Sequence, residues 1–434
     1  MVNRGVISPI EQHIWQLAGR QPNAAWQMPK GFRLFGALNA NALKAAFYRV
    51  LKSHSSLQTL WLSNGKTAAP VLVDRIDLES IFTTHDFSNH LHPFASAMQR
   101  FDLEEQLPFY LAEELPIRLQ LLRLDDQDHV LLITAHQIAF DLFSWTLFWN
   151  ALCENYELAI ESNLKTNLVE RFTTNNLPNN TLLTREDIAQ HELALLHTDE
   201  GAACLAHWQK LLQSNVEPTT RHHIYSHLRE EGSEVAVRID AKSRHAIETL
   251  RRRFKSTNQA VFLALFAKLL HTQQIENGPA LYAAPTTRRL KPELEQAIAP
   301  LAGTNLFLFE AKASDTLDTL IEKATHEIRR AWGYMQVPAE AALHAANTTE
   351  QQHSVPYCLN IDDQKTQSWQ PLGSTKCQQL FTKTRTAKHD ITLSLNSSPE
   401  GISGRIEFSL SKLSTNQDTE LALGFKKLIE EYLP

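Results

Sequence analysis

The chain has little of what marks a secreted, membrane-spanning or nucleic-acid-binding protein. Its 434 residues contain four cysteines, Cys153, Cys204, Cys358 and Cys377. They are scattered, two of them within helical patterns, which argues against a disulfide framework or a clustered zinc site and fits reduced thiols. No apolar stretch approaches the ~20 residues of a membrane span, and the opening Met1-Val2-Asn3-Arg4-Gly5 lacks the charged and apolar regions of a signal peptide. A cytoplasmic protein with no membrane partner is therefore expected. A surplus of positive charge is also missing: the formal charge is -6 and the pI about 6.3, the wrong balance for gripping a phosphate backbone. The run Arg251-Arg252-Arg253 reads as the solvated side of a helix. No Gly-x-Ser-x-Gly elbow occurs, so a Ser-His-Asp hydrolase has no place for its nucleophile.

What is present is an ordinary globular composition, 43% hydrophobic and 21% charged. The length exceeds what one core usually supports, so two domains are expected. The best linker is Arg171 to Thr181, rich in turn formers and poor in apolar residues. The boundary placed there gives domains 1–175 and 176–434, the second repeating the first's grammar of helices and buried strands without visible sequence repetition.

The stretch Ala135-His136-Gln137-Ile138-Ala139-Phe140-Asp141-Leu142-Phe143-Ser144-Trp145 carries the most chemistry. The apolar run His129 to Thr134 predicts a buried strand, and the recurrence of Trp145, Phe148, Trp149, Leu152 and Tyr156 predicts a helix from Ser144. A histidine and an aspartate are thereby held on a turn between two rigid elements, where functional residues concentrate.

Other stretches stand around it in a fixed order. Ser8-Pro9-Ile10-Glu11-Gln12-His13-Ile14-Trp15 predicts a helix capped by Ser8. Asn41 is expected to cap a helix burying Leu43, Phe47, Val50 and Leu51, followed by His54, Leu57 and Thr59. Then come Phe101-Asp102-Leu103, the alternating strand Ile117 to Leu121, and Trp208. A helix capped by Thr257, the strand Leu281 to Pro285, Arg288-Arg289, and Gly303-Thr304-Asn305 follow. Val355-Pro356-Tyr357, His389-Asp390, an alternating strand Ile402 to Leu410 and a final helix burying Leu421, Phe425 and Leu428 complete the series.

The ordered series resembles the motifs of the condensation domains of nonribosomal peptide synthetases, relatives of chloramphenicol acetyltransferase and the plant HxxxD acyltransferases. The resemblance implies an α/β fold of two chloramphenicol acetyltransferase-like lobes, a V-shaped pseudo-dimer with a tunnel between them. It implies carrier proteins as partners, with their phosphopantetheine arms as substrate carriers and no cofactor or metal bound to the domain itself. Aligned on the family's His-His-x-x-x-Asp-Gly-x-Ser motif, His136 is the first His, Asp141 the Asp and Ser144 the Ser. The second His, the family's base, falls on Gln137, and the Gly falls on Leu142. By the same resemblance His136 looks inward and supports the loop, while Asp141 pairs with Arg288 or Arg289 across the two halves.

Gln137 cannot be a base at neutral pH, although its amide can accept a hydrogen bond from a nucleophile and donate one to an oxyanion. Loss of a general base costs on the order of 10²- to 10⁴-fold. A leucine at 142 disfavours positive φ and is expected to crowd the reacting thioester. One decoy is His222-His223-Ile224-Tyr225-Ser226-His227, where His223 and His227 would share a helical face, but no third ligand type stands near. Two readings follow: a non-catalytic or impaired condensation-type domain that docks carrier proteins or recruits a tailoring enzyme, or an atypical condensation domain or freestanding acyltransferase forming an amide or ester. Condensation-like domains that recruit oxygenases have likewise lost the second His. The final helix running to Tyr432-Leu433-Pro434 suggests a domain excised from a longer synthetase.

Overall fold

The computed structural model describes residues 5–19, 22–63, 67–161, 182–213, 230–345, 355–362, 369–382, 386–398, 401–411, 413 and 415–432. The expected linker and the His222–His227 group lie outside these residues. The packing divides the chain into two compact units that are not consecutive halves. The first comprises residues 1–194, 287–302 and 368–382, and the second residues 195–286, 303–367 and 383–434.

The first unit is built on a five-stranded sheet. In chain order its strands are β1 (Gln27–Phe35), β2 (Phe82–Asp86), β3 (Ile117–Asp125), β4 (Asp128–His136) and β5 (Lys376–Leu380), and their spatial order is β5-β1-β4-β3-β2. Helices α1 (Pro9–Ile14), α2 (Ala40–Ser53), α3 (Pro93–Glu104), α4 (Ser144–Glu161) and α5 (Arg185–Leu196) accompany it. On one face Phe47 of α2 packs against Phe82 and Phe148, and Trp149 of α4 lies 4.2 Å from Phe32 of β1. On the other face Ala97 and Phe101 of α3 pack with Leu122, Val130 and Leu132. The Phe101 ring lies where a Cβ on Gly31 would stand, 2.6 Å away, so β1 needs glycine at that crossing.

Ser8 caps α1 by accepting from Glu11 N–H while the Glu11 carboxylate accepts from Ser8 N–H at 2.8 Å, a reciprocal capping box. The cap of α2 is Asn39 rather than Asn41. Asn39 Oδ1 accepts from Ala42 N–H at 3.0 Å, and Asn41 is already inside the helix. Helix start signals of equal chemistry two residues apart are resolved only by the backbone. The strand around Ile117–Leu121 is covered on both faces rather than half-buried, because α3 closes the side that alternation assigns to solvent.

The second unit holds a seven-stranded mixed sheet. It combines parallel pairing, such as 357–362 beside 391–398, with antiparallel pairing of 391–398 and 401–409. The helix Asn258–Thr272, capped by Thr257, is buried along most of its length from Ala260 to Leu270. That is the signature of a helix sunk in a core rather than laid on a surface.

Candidate functional site

Strand β4 ends at His136 and α4 begins at Ser144, so the motif loop is held at both ends. His136 is 1% exposed. Its main-chain N–H donates to Pro116 O at 2.8 Å, and its ring Nδ1 accepts from Ile138 N–H at 3.1 Å. The neutral ring therefore carries its proton on Nε2, and its one in-plane lone pair is engaged. Gln137 follows, half-buried, with its main-chain N–H donating to Trp26 O at 2.9 Å.

Asp141 is 2% exposed, and both carboxylate oxygens are filled. Oδ1 accepts from Ser144 N–H at 2.8 Å, Ser144 Oγ at 2.7 Å and Arg289 Nη2 at 3.0 Å. Oδ2 accepts from Arg289 Nη1 at 2.5 Å and from Ala302 N–H at 2.9 Å. The carboxylate thus caps the N-terminus of α4 and grips a guanidinium in the two-pronged geometry that makes arginine pairs strong. Ser144, fully buried, gives its hydroxyl proton to Asp141 and accepts from Ala299 N–H at 3.3 Å. Arg289 also donates to Ala297 O at 2.9 Å and lies over the Phe143 ring at 4.6 Å.

Of the two adjacent arginines, Arg289 reaches Asp141, and Arg288 pairs with buried Glu192 of α5. Segment 287–302 packs into the first unit, so the Asp141–Arg289 pair lies within one unit rather than joining two. Also in this unit, Arg185 of α5 meets Glu11 of α1 at 2.9 Å, with both side chains almost wholly buried. Burial pushes the Glu11 carboxyl up to about 7 despite the lowering effect of Arg185. The backbone at Leu142 is free of the positive φ that a glycine at this position would relieve. The residue is 51% exposed, and among the described residues the only non-glycine positive φ angles belong to Lys255 and Gln274.

The motif spacing makes His136, Gln137, Asp141, Leu142 and Ser144 visible in the sequence. It does not show Ala297, Ala299 and Ala302, which contribute main-chain groups, or Glu192, whose partner is distant in the chain. Only the small residues Ala297, Ala299, Ala302 and Gly303, interspersed with Ile298, Pro300 and Leu301, hint that backbone approaches closely there.

Comparison with known proteins places the chain in a family. The chain is 24% identical over 443 residues to a component of the linear gramicidin synthase of Brevibacillus parabrevis, covering 98% of the chain but 8% of that protein. It is 24% identical over 429 residues to the bassianolide nonribosomal cyclodepsipeptide synthetase of Beauveria bassiana, covering 94% of the chain and 13% of that protein. The chain thus spans a small fraction of these relatives. Among solved structures, the X-domain from teicoplanin biosynthesis superposes with a TM-score of 0.82 at 18% identity, over 100% of this chain and 96% of that one. VibH, a condensation enzyme of nonribosomal peptide synthesis, superposes with 0.76 at 15%, over 98% and 96%. Both share the fold. A model of the condensation domain matches residues 5–433, and the chain belongs to that family.

Proposed function

We propose that this chain is a condensation-type domain of nonribosomal peptide, or hybrid polyketide, biosynthesis in which bond formation is lost or impaired, and that it docks carrier proteins or recruits a tailoring enzyme. The observation that carries this reading is the chemistry of the motif loop: Gln137 stands where the family has its base, and the neighbouring groups offer no substitute. Asp141 is saturated by donors, Ser144 is buried with its proton committed, and the His136 lone pair is engaged. The loop keeps what holds it in shape. The fold likeness to the X-domain, whose complex with OxyB from teicoplanin biosynthesis superposes with a TM-score of 0.81, supports recruitment of an oxygenase or a similar tailoring enzyme. Acyl groups would reach such a domain on the phosphopantetheine arms of carrier proteins.

The test uses carrier proteins charged with acyl and aminoacyl groups, with the purified domain and intact-mass detection of product, alongside binding titrations of the loaded carriers. The expected result is saturable binding without new amide or ester. Product that falls when Gln137 is replaced by alanine would sink the reading. The alternative, an active enzyme that uses Gln137 to orient its nucleophile, draws on the fixed main-chain anchor of Gln137 at Trp26 O. It requires measurable turnover in the natural chain that Gln137→His raises further; turnover appearing only from zero removes its support.

A further inference from the structure

The α3 face of the first unit's sheet carries a buried polar stripe leading to His136. Strand alternation and register place Gln27, His136, Thr134, Arg118 and Gln120 on this face, with Gln27 directly opposite His136. At the end of α3, Glu104 has a side chain only 1% exposed. Its Oε1 accepts from Arg118 Nε at 2.9 Å and its Oε2 from Gln120 Nε2 at 2.5 Å. Gln120 in turn accepts from Arg100 Nε at 2.7 Å.

Arg118 spends its remaining donors on the loop that follows α3. Nη2 donates to Leu107 O at 2.6 Å and Nη1 to Pro108 O at 3.2 Å, and Nη1 also stands 3.5 Å from the Glu114 carboxylate in the same loop. The guanidinium face lies on the Phe109 ring at 3.9 Å, and Phe109, 1% exposed, meets the His136 imidazole edge-on with centroids 5.8 Å apart. Gln27 Nε2 donates to the same Leu107 carbonyl.

We infer that Arg118, fixed by Glu104, is a positioning residue for the His136 ring, acting through the Leu107–Pro108 backbone and Phe109. A buried ion pair is a costly way to close a sheet face, and apolar side chains would close it as well. What the pair adds is direction. A planar fork anchored by a carboxylate sets two carbonyls and one aromatic ring in a single arrangement, which a lysine or an apolar residue does not do. The imidazole is then held by Ile138 N–H at Nδ1 and by Phe109 at its flank. This assignment is independent of whether the domain catalyses.

Nitrogen-15 NMR of the whole chain labelled at histidine tests it, with the His136 signals assigned by their loss in His136→Gln. The natural chain is expected to show one fixed tautomer, protonated on Nε2. Phe109→Leu keeps the ion pair and the apolar bulk, and should broaden the His136 ring signals and move Nδ1 toward the tautomer-averaged position. Glu104→Gln/Arg118→Met should do the same to a larger extent, and Arg118→Lys to a smaller one. Unmoved ring signals in folded Phe109→Leu, or in folded Arg118→Lys, overturn the proposal. Should the double variant not fold, Arg118→Lys and Phe109→Leu decide together.

Discussion

At the scale of single residues, the loop separates a buried, paired support from an exposed flank. Asp141 and Arg289 are each almost wholly buried and satisfy one another in two prongs. Removing one partner strands a charge out of water, a loss of about 3–5 kcal/mol. Arg289→Met is therefore expected to lower the unfolding free energy measured in urea by that amount, and Asp141→Asn by a comparable one, because its single amide oxygen can accept from Ser144 or from Ala302 but not from both. Equal midpoints for Arg289→Met and the natural chain would contradict the buried pair. Leu142 makes the opposite case. It is half-exposed and in ordinary backbone geometry, so Leu142→Gly should change stability by no more than about 0.5–1 kcal/mol in the same assay. A glycine is therefore no backbone necessity at this position, since here the turn is made without positive φ.

At the scale of elements, patterns confined to a few neighbouring residues are legible and pairings across the chain are not. Ser8 as the cap of α1, Thr257 with its buried helix, and the run His129 to Thr134 each declare themselves, because caps and periodicity are local. Neither Glu192 as the partner of Arg288 nor Glu11 as the partner of Arg185 is written in any window of the sequence. The motif loop is legible for the same reason as the caps, since five positions of fixed spacing carry it. The alanines whose main chain completes it are legible only once segment 287–302 is folded against α4. The capping box has a measurable weight. Ser8→Ala removes an N-cap, worth about 1 kcal/mol on its own. Because Glu11 also holds Arg185, the loss should exceed that of an exposed cap by thermal unfolding; a loss near zero would mean that Arg185 alone holds α1.

At the scale of the whole molecule, pH dependence follows from buried titrating groups. Burial pushes His54, His207 and His389 down to about 4 each. In the unfolded chain histidine titrates near 6.5, so between these values the unfolded state holds protons that the folded state refuses. Their contribution is complete above about pH 6.5 and is lost as pH falls toward 4. Glu11, raised to about 7, has the opposite sign: its contribution is present below its ordinary 4.5 and is lost as pH rises through 7. Three groups outweigh one, so the urea midpoint should fall between pH 6.5 and 4.5. His389→Asn, which can still donate to Val355 O, should flatten the slope; a midpoint that rises on acidification would refute this balance.

The first unit also has a history imposed by its topology. Strand β1 has β4 on one side and β5 on the other, and β5 is drawn from residues 376–380. The guanidinium that answers Asp141 comes from residue 289. On the ribosome, then, the amino-terminal part emerges with one strand edge unpaired and one buried carboxylate unanswered; about a hundred further residues must follow before the carboxylate is answered, and nearly two hundred before the edge is paired. A chain ended after residue 194 should accordingly fail to unfold cooperatively and should aggregate. Supplying the remainder as a second polypeptide should rescue it, which makes the order of synthesis, as much as the final contacts, a determinant of how this domain is produced.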